Sequence, residues 1–112
     1  MKLYKERKTR LIEMAEVARL NDIKLRIWSN DHEPAHFHAI KEGEYNVIIL
    51  IPEKMPDSLP VVEKGSKFGK GFPKKDQGII LDWIQTRKLD PELDAKVTGL
   101  GKLKSAWRII HN

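Results

Sequence analysis

The middle of the chain carries the alternating apolar and polar pattern of β-strands. Ile23, Leu25 and Ile27 alternate with charged residues, which predicts a half-buried strand. A second strand is expected over residues 36–41 and a central one over residues 45–51, where β-branched and apolar residues occupy both faces. The proline- and glycine-rich segment that follows predicts a further short strand at Val61 and Val62. We therefore expect an antiparallel sheet within residues 22–72.

Apolar residues near the N-terminus fall instead at helical spacing. Leu11, Met14, Ala15 and Ala18 form one stripe, and the charged residues between them lie off it. This pattern predicts an N-terminal helix over residues 1–21.

The C-terminal third also has helical periodicity. A helix is predicted to begin at Pro73, and the Asp90-Pro91 pair favours a further helical turn. A terminal amphipathic helix is then indicated by apolar residues from Leu100 to Ile110. The helices are expected within residues 73–112.

These elements predict a single α+β domain over residues 1–112. Strands that follow one another along the chain, with helices outside them, are typical of a sheet covered by helices. We expect a small three- to four-stranded antiparallel sheet with the N-terminal and C-terminal helices packed on one face.

Composition narrows the chemistry. The chain of 112 residues has no cysteine, which excludes disulfides, thiolate metal sites and a cysteine nucleophile. Its longest apolar run is residues 47–51, far short of the roughly 20 residues of a membrane-spanning helix. No secretory signal pattern is evident, so we expect a cytoplasmic protein without a membrane partner.

Charge is distributed unevenly, with two basic blocks on either side of an acidic middle and a formal net charge of +5. The second basic block contains Lys67, Lys70, Lys74 and Lys75. Such a cluster can contact the phosphates of RNA or an acidic protein partner, although a solvated mixed surface has the same composition. Oligomeric state is left open by the sequence.

Three histidines lie close together between the first two predicted strands, at His32, His36 and His38. On a strand, the latter two would point to one face, where two imidazoles can bind one metal ion. His32 would be a third ligand, and Asp31 or Glu33 would orient an imidazole or bind the ion directly. A divalent metal such as zinc is therefore a candidate cofactor.

The same histidines permit two other interpretations. Without a metal, His32, His36 and His38 could be the catalytic acid and base that cleave a phosphodiester, with Lys24 or Arg26 on the adjacent strand holding the anionic group. Alternatively, the histidines could be structural groups on a polar sheet face.

The segment from Asp31 to His38 resembles the hallmark of a widespread DUF-type family of small bacterial proteins, Asp-His-x-Pro-x-His-Phe-His on a β-hairpin. Residues 81–83, Leu-Asp-Trp, are similar to the family's second recognisable segment. The resemblance covers about two thirds of the chain. It implies a cytoplasmic protein, and some members are suspected toxin–antitoxin components; no catalytic mechanism comes with it.

The sequence thus favours a toxin–antitoxin-like or accessory component that acts through a protein or RNA partner, with the histidines as its functional surface. The alternative is a metal- or histidine-dependent phosphodiesterase of RNase type. A DNA-binding antitoxin or regulator is a second alternative, although no helix-turn-helix pattern is evident.

Overall fold

The computed structural model describes residues 2–5 and 11–111. Within these ranges the chain forms eight strands and two helices. They are, in chain order, β1 (Lys2–Lys5), β2 (Leu11–Leu20), β3 (Ile23–Trp28), β4 (His36–Lys41), β5 (Tyr45–Leu50), β6 (Val61–Lys67), α1 (Lys74–Gln85), β7 (Arg87–Asp90), β8 (Ala95–Thr98) and α2 (Gly99–Ile110).

The main sheet is an antiparallel meander in which each strand pairs with the next, in the order β1-β2-β3-β4-β5-β6. Strands β7 and β8 form a separate two-stranded hairpin between the helices. The predicted antiparallel sheet is confirmed, including the short strand at Val61. The predicted size of three to four strands is wrong, because five strands lie within residues 11–67 and β1 adds a sixth.

One face of the sheet forms the core with the two helices. The apolar residues of β3, β4 and β5 alternate between buried and less buried positions, as the period of a strand requires. The fully buried side chains on this face include Leu25, Ile27, Phe37, Val47 and Ile49. They form one core with Ile80 and Ile84 of α1 and Leu103 of α2. Helices therefore pack on the sheet as expected, but they are α1 in the middle of the chain and α2 near its end, not the expected N-terminal and C-terminal pair.

The predicted N-terminal helix is wrong over the described residues, since 11–20 form β2; residues 1 and 6–10 of the prediction lie outside the described ranges. A β-bulge at Val17 explains the helical spacing of Ala15 and Ala18. Ala15 pairs with Ile27 and Ala18 pairs with Leu25, so the extra residue puts positions three apart on one face. That spacing imitates one turn of a helix. Asn21, with φ of 58°, then turns the chain into β3.

The helical turn predicted after Asp90 is also absent. Asp90 ends β7, and its carboxylate accepts a hydrogen bond from the Glu92 N–H at 3.0 Å. This local bond favours a turn, and the chain reverses into β8. The N-terminus of α2 is capped by Thr98, whose hydroxyl accepts from the Gly101 N–H at 3.0 Å.

Helices α1 and α2 have 12 residues each. In the described part of the chain, no helix combines the length and apolar character needed to cross a bilayer. The helices meet at Gly99, which is buried. A Cβ atom at this position would lie 2.7 Å from Cε3 of Trp83 and 2.8 Å from Cα of Ile84. The absence of a side chain at Gly99 is therefore what allows α2 to begin against α1.

We predict that Gly99→Ala lowers the free energy of unfolding by about 1–3 kcal/mol, because backbone and ring atoms must move to accept the methyl group. Gly78→Ala is the matched control. Gly78 lies within α1 with open space around its Cα, so this change should stabilise the protein by up to about 1 kcal/mol. Urea unfolding of the two variants measures both effects; equal stabilities would contradict the proposed close packing.

Candidate metal site

The turn between β3 and β4 places Asp31 beside the end of β3. Its backbone N–H donates to the Trp28 carbonyl oxygen at 3.0 Å, and its carboxylate accepts from the Trp28 N–H at 2.9 Å. Ser29, which follows Trp28, is held to β2 by two hydrogen bonds of 2.8 Å: its backbone N–H donates to the Glu13 carbonyl oxygen, and its hydroxyl accepts from the Glu13 N–H. These bonds fix the direction of the Asp31 side chain.

His36 and His38 lie on β4 with Phe37 between them. Phe37 is fully buried in the core, so strand alternation directs the two histidines to the opposite face. Their ring centroids are 5.3 Å apart, and the rings meet edge to face. The fold thus places two imidazoles side by side at the start of β4.

Both imidazoles approach the Asp31 carboxylate. Nε2 of His38 lies 3.2 Å from each carboxylate oxygen, and Nε2 of His36 lies 3.6 Å from Oδ1. One potential ligand atom from each of the three residues lies within 4.8 Å of the others. Their side chains are 12–17% exposed, so the cluster is largely enclosed by protein and still reachable from solvent.

The His36 ring has a defined orientation. Its Nδ1 lies 2.8 Å from the Pro34 carbonyl oxygen, and a carbonyl oxygen can only accept a hydrogen bond. Nδ1 therefore carries the proton, and Nε2 of the neutral ring presents its lone pair toward Asp31. Outer hydrogen bonds of this type fix the tautomer of metal-binding histidines in proteins.

Asp31 remains ionised to lower pH than an ordinary aspartate. Burial by itself would raise its pKa, but the hydrogen bonds from His38 and from the Trp28 N–H, together with the positive charge of the His38 and His36 rings in their protonated form, lower the pKa below the usual value. The cluster therefore offers a carboxylate anion next to two imidazoles at neutral pH.

This arrangement has the geometry of a metal site. Two imidazole nitrogens and one carboxylate oxygen can converge on an ion at bond lengths of about 2.0–2.2 Å. Three protein ligands leave positions open for water or a substrate, as in metal sites that perform catalysis.

Other residues predicted for the site lie outside this cluster. His32 is exposed, and the described ligand cluster contains Asp31 in its place. Glu33 is exposed as well. Arg26 is directly across from His38 in the β3–β4 register, and its Nε and Nη2 donate to the Glu16 carboxylate at 3.3 and 3.2 Å.

The predicted basic cluster lies at the other end of the sheet. Lys67 pairs with Asn46 on β5, whereas His36 pairs with Leu50, four residues further along that strand. Four residues of a strand span about 13 Å. The exposed Lys70 is tied to the same end by its backbone N–H, which donates to the Glu44 carbonyl oxygen at 3.0 Å. Lys74 and Lys75 are exposed at the start of α1, which is joined to the same end of the sheet by the Tyr45 hydroxyl, a donor to the Asp76 carboxylate at 2.8 Å.

Two residues from α2 and its end join the cluster without having been predicted to do so. The Trp107 ring centroid lies 5.6 Å from that of His36, and Nε2 of His111 lies 2.9 Å from the Asp31 carbonyl oxygen. His111 and Asp31 are 80 positions apart, and no local pattern connects them. The helical periodicity places Trp107 on the apolar face of α2, but it does not predict the contact with His36 on β4.

Comparison with known proteins gives a family match. The model of a family described as a domain of unknown function, DUF4160, matches residues 22–90. The matched region contains Asp31, His36 and His38 and ends before α2. Neither the curated proteins nor the solved structures contain a significant match to the chain.

We predict that His38→Ala raises the pKa of Asp31 toward its ordinary value of about 4, because the carboxylate loses a charge-stabilising hydrogen bond. Carbon-13 NMR titration of the carboxyl group measures the shift. His32→Ala is the control and should leave the Asp31 pKa unchanged, since His32 is exposed and outside the cluster.

The same pKa has a consequence for stability. Because the pKa of Asp31 is lower in the folded than in the unfolded protein, its ionised carboxylate stabilises the fold at pH values above the unfolded-state pKa. This stabilisation is lost as the pH falls through the folded-state pKa. The wild-type protein should therefore lose more free energy of unfolding than His38→Ala between pH 6 and the acid limit of folding. An equal loss in the two proteins would contradict the assigned hydrogen bond.

Proposed function

The chain belongs to the DUF4160 family, a domain of unknown function, and we propose that it binds one divalent metal ion through Asp31, His36 and His38. One observation carries the proposal. The Pro34 carbonyl oxygen accepts a hydrogen bond from Nδ1–H of His36, so in the neutral ring the Nε2 lone pair faces a carboxylate oxygen 3.6 Å away. Two acceptors in this position repel each other, and a cation between them converts the repulsion into attraction.

The ligand types favour an ion of the first transition series. Imidazole nitrogens suit Zn²⁺, Fe²⁺, Co²⁺ and Ni²⁺, and a carboxylate also suits Mn²⁺. The chain contains no cysteine, so a thiolate site for a soft ion such as Cu⁺ is excluded. With three protein ligands, at least one position remains for water or an anionic ligand.

Metal binding can be measured directly. After chelator treatment, the full chain should bind Zn²⁺ or Mn²⁺ with a stoichiometry of one in isothermal titration calorimetry. His36→Ala and His38→Ala should weaken binding by at least about 100-fold, since the loss of even an outer partner can cost that much. His32→Ala is the matched control and should bind as the wild type does.

Two results would overturn the proposal. The first is a wild-type protein that binds neither ion in the micromolar range. The second is a His32→Ala variant that loses as much affinity as His36→Ala, because the ligand set would then include the exposed histidine.

A second candidate function, hydrolysis of an RNA phosphodiester, is favoured by the position of Arg26. This residue faces His38 across the β3–β4 pair and is 19% exposed. A metal ion held by Asp31, His36 and His38 would supply a water molecule of lowered pKa. In this mechanism Arg26 binds a phosphate oxygen and stabilises the charge that develops on it, while Asp31 and the two histidines hold the ion.

We predict that metal-loaded protein cleaves single-stranded RNA and that Arg26→Ala lowers kcat/KM by about 100- to 1000-fold, as loss of a charge-stabilising donor does in other enzymes. The change should leave Zn²⁺ affinity unaltered. Arg19→Ala is the control, because Arg19 donates to the same Glu16 carboxylate at 3.0 Å but is 54% exposed and pairs with Lys24, not with the residue that faces His38. Equal cleavage by Arg26→Ala and wild type would exclude this role.

A toxin–antitoxin-like or accessory role through a protein or RNA partner remains a prediction from the sequence. The geometry adds one constraint on it. A partner held by Lys67, Lys70, Lys74 and Lys75 would occupy the end of the sheet opposite the metal site. Such a partner would therefore bind without contacting the histidines unless it spans the sheet.

A further inference from the structure

The C-terminal end of α2 meets the metal site at two residues. The Trp107 ring lies against His36, with 5.6 Å between the ring centroids. The His111 ring stacks on the Trp107 ring, with 3.7 Å between the ring centroids and 27° between the ring planes. From there, Nε2 of His111 reaches the carbonyl oxygen of Asp31 at 2.9 Å.

These contacts act on both kinds of ligand. Trp107 restricts the ring of His36 from the side, and His111 holds the backbone of Asp31. His111 is itself fixed by its backbone N–H, which donates to the Trp107 carbonyl oxygen at 3.1 Å. Its Nδ1 also lies 2.9 Å from that oxygen, and because carbonyl oxygens only accept, Nδ1 and Nε2 donate together only when the ring is protonated.

The helix that carries Trp107 and precedes His111 is anchored in the core. Leu103 and Ile110, on the same helix, are buried in the core at 0% and 6% exposure. Trp107 lies between them in sequence and is only partly buried. The helix is thus anchored by its core residues, and Trp107 and His111 extend from it to the β3–β4 turn.

We propose that Trp107 and His111 are positioning residues of the metal site, which hold the His36 ring and the Asp31 turn in ligating geometry. The proposal rests on the metal binding proposed above. Both residues lie outside the family-matched range 22–90, so this chain completes the site with a helix that the family match does not include. A preformed site of this kind binds its ion more tightly, because less freedom is lost when the ligands converge.

The test uses Co²⁺, which binds the same ligand types as Zn²⁺ and reports its coordination by visible absorption. We expect His111→Ala to weaken Co²⁺ binding by about 10- to 100-fold, the cost of losing a supporting hydrogen bond, and to shift the absorption bands of the bound ion. His111→Gln retains an N–H donor and should recover part of the affinity. Trp107→Leu keeps apolar volume but removes the flat ring, and it should weaken binding by about 10-fold.

Arg108→Ala is the matched control, because Arg108 is exposed on the same helical turn and should change neither affinity nor spectrum. Far-UV circular dichroism and urea unfolding establish that each variant is folded under the titration conditions. If His111→Ala is unfolded there, His111→Gln and Trp107→Leu decide the question.

The outcomes separate the two proposals. A wild-type protein that binds no Co²⁺, Zn²⁺ or Mn²⁺ overturns the metal site itself. A wild-type protein that binds Co²⁺, together with folded His111 and Trp107 variants of unchanged affinity and spectrum, overturns only the positioning role. Variants of His111 or Trp107 that have a lower free energy of unfolding but unchanged Co²⁺ binding also overturn the positioning role, because the residues would then contribute only to stability.

Discussion

The candidate site depends on how Asp31 is held. Its carboxylate accepts a hydrogen bond from the Trp28 N–H and approaches two imidazoles, while its carbonyl oxygen contacts His111. One residue thereby joins the end of β3, the start of β4 and the end of α2. Because a buried carboxylate is stable as an anion only with such partners, the same interactions that order the turn also keep the charge that a metal ion would need.

Strand alternation couples this site to the core. Phe37 is fully buried against the helices, and the histidines on either side of it therefore leave the core together. A one-residue slip of β4 would exchange the two faces and bury imidazoles in an apolar environment. The hydrophobic core thus sets the register on which the histidine pair depends. The bulge at Val17 shifts the register of β2 against β3, whereas the pairing of β4 with β5 is regular.

Much of the fold follows from local sequence. The alternation from Ile23 to Ile27, the apolar strand at 45–50 and the periodicity of the last helix each match an observed element. The errors have two physical origins. In β2 a bulge gives a strand the spacing of a helix, and at Asp90 a hydrogen bond to the Glu92 N–H turns the chain into a hairpin. Bulges depend on pairing with another strand, which periodicity within one segment does not report.

The sequence by itself determined that His36 and His38 share one face, because a strand has a period of two. It also identified Asp31 as a possible partner, since that residue is only a few positions away. Tertiary structure decided that Asp31 rather than His32 meets both rings, and it brought His111 to the cluster from the far end of the chain. A turn's side-chain directions and a helix's docking position are set by contacts distant in sequence, so only the folded chain specifies them.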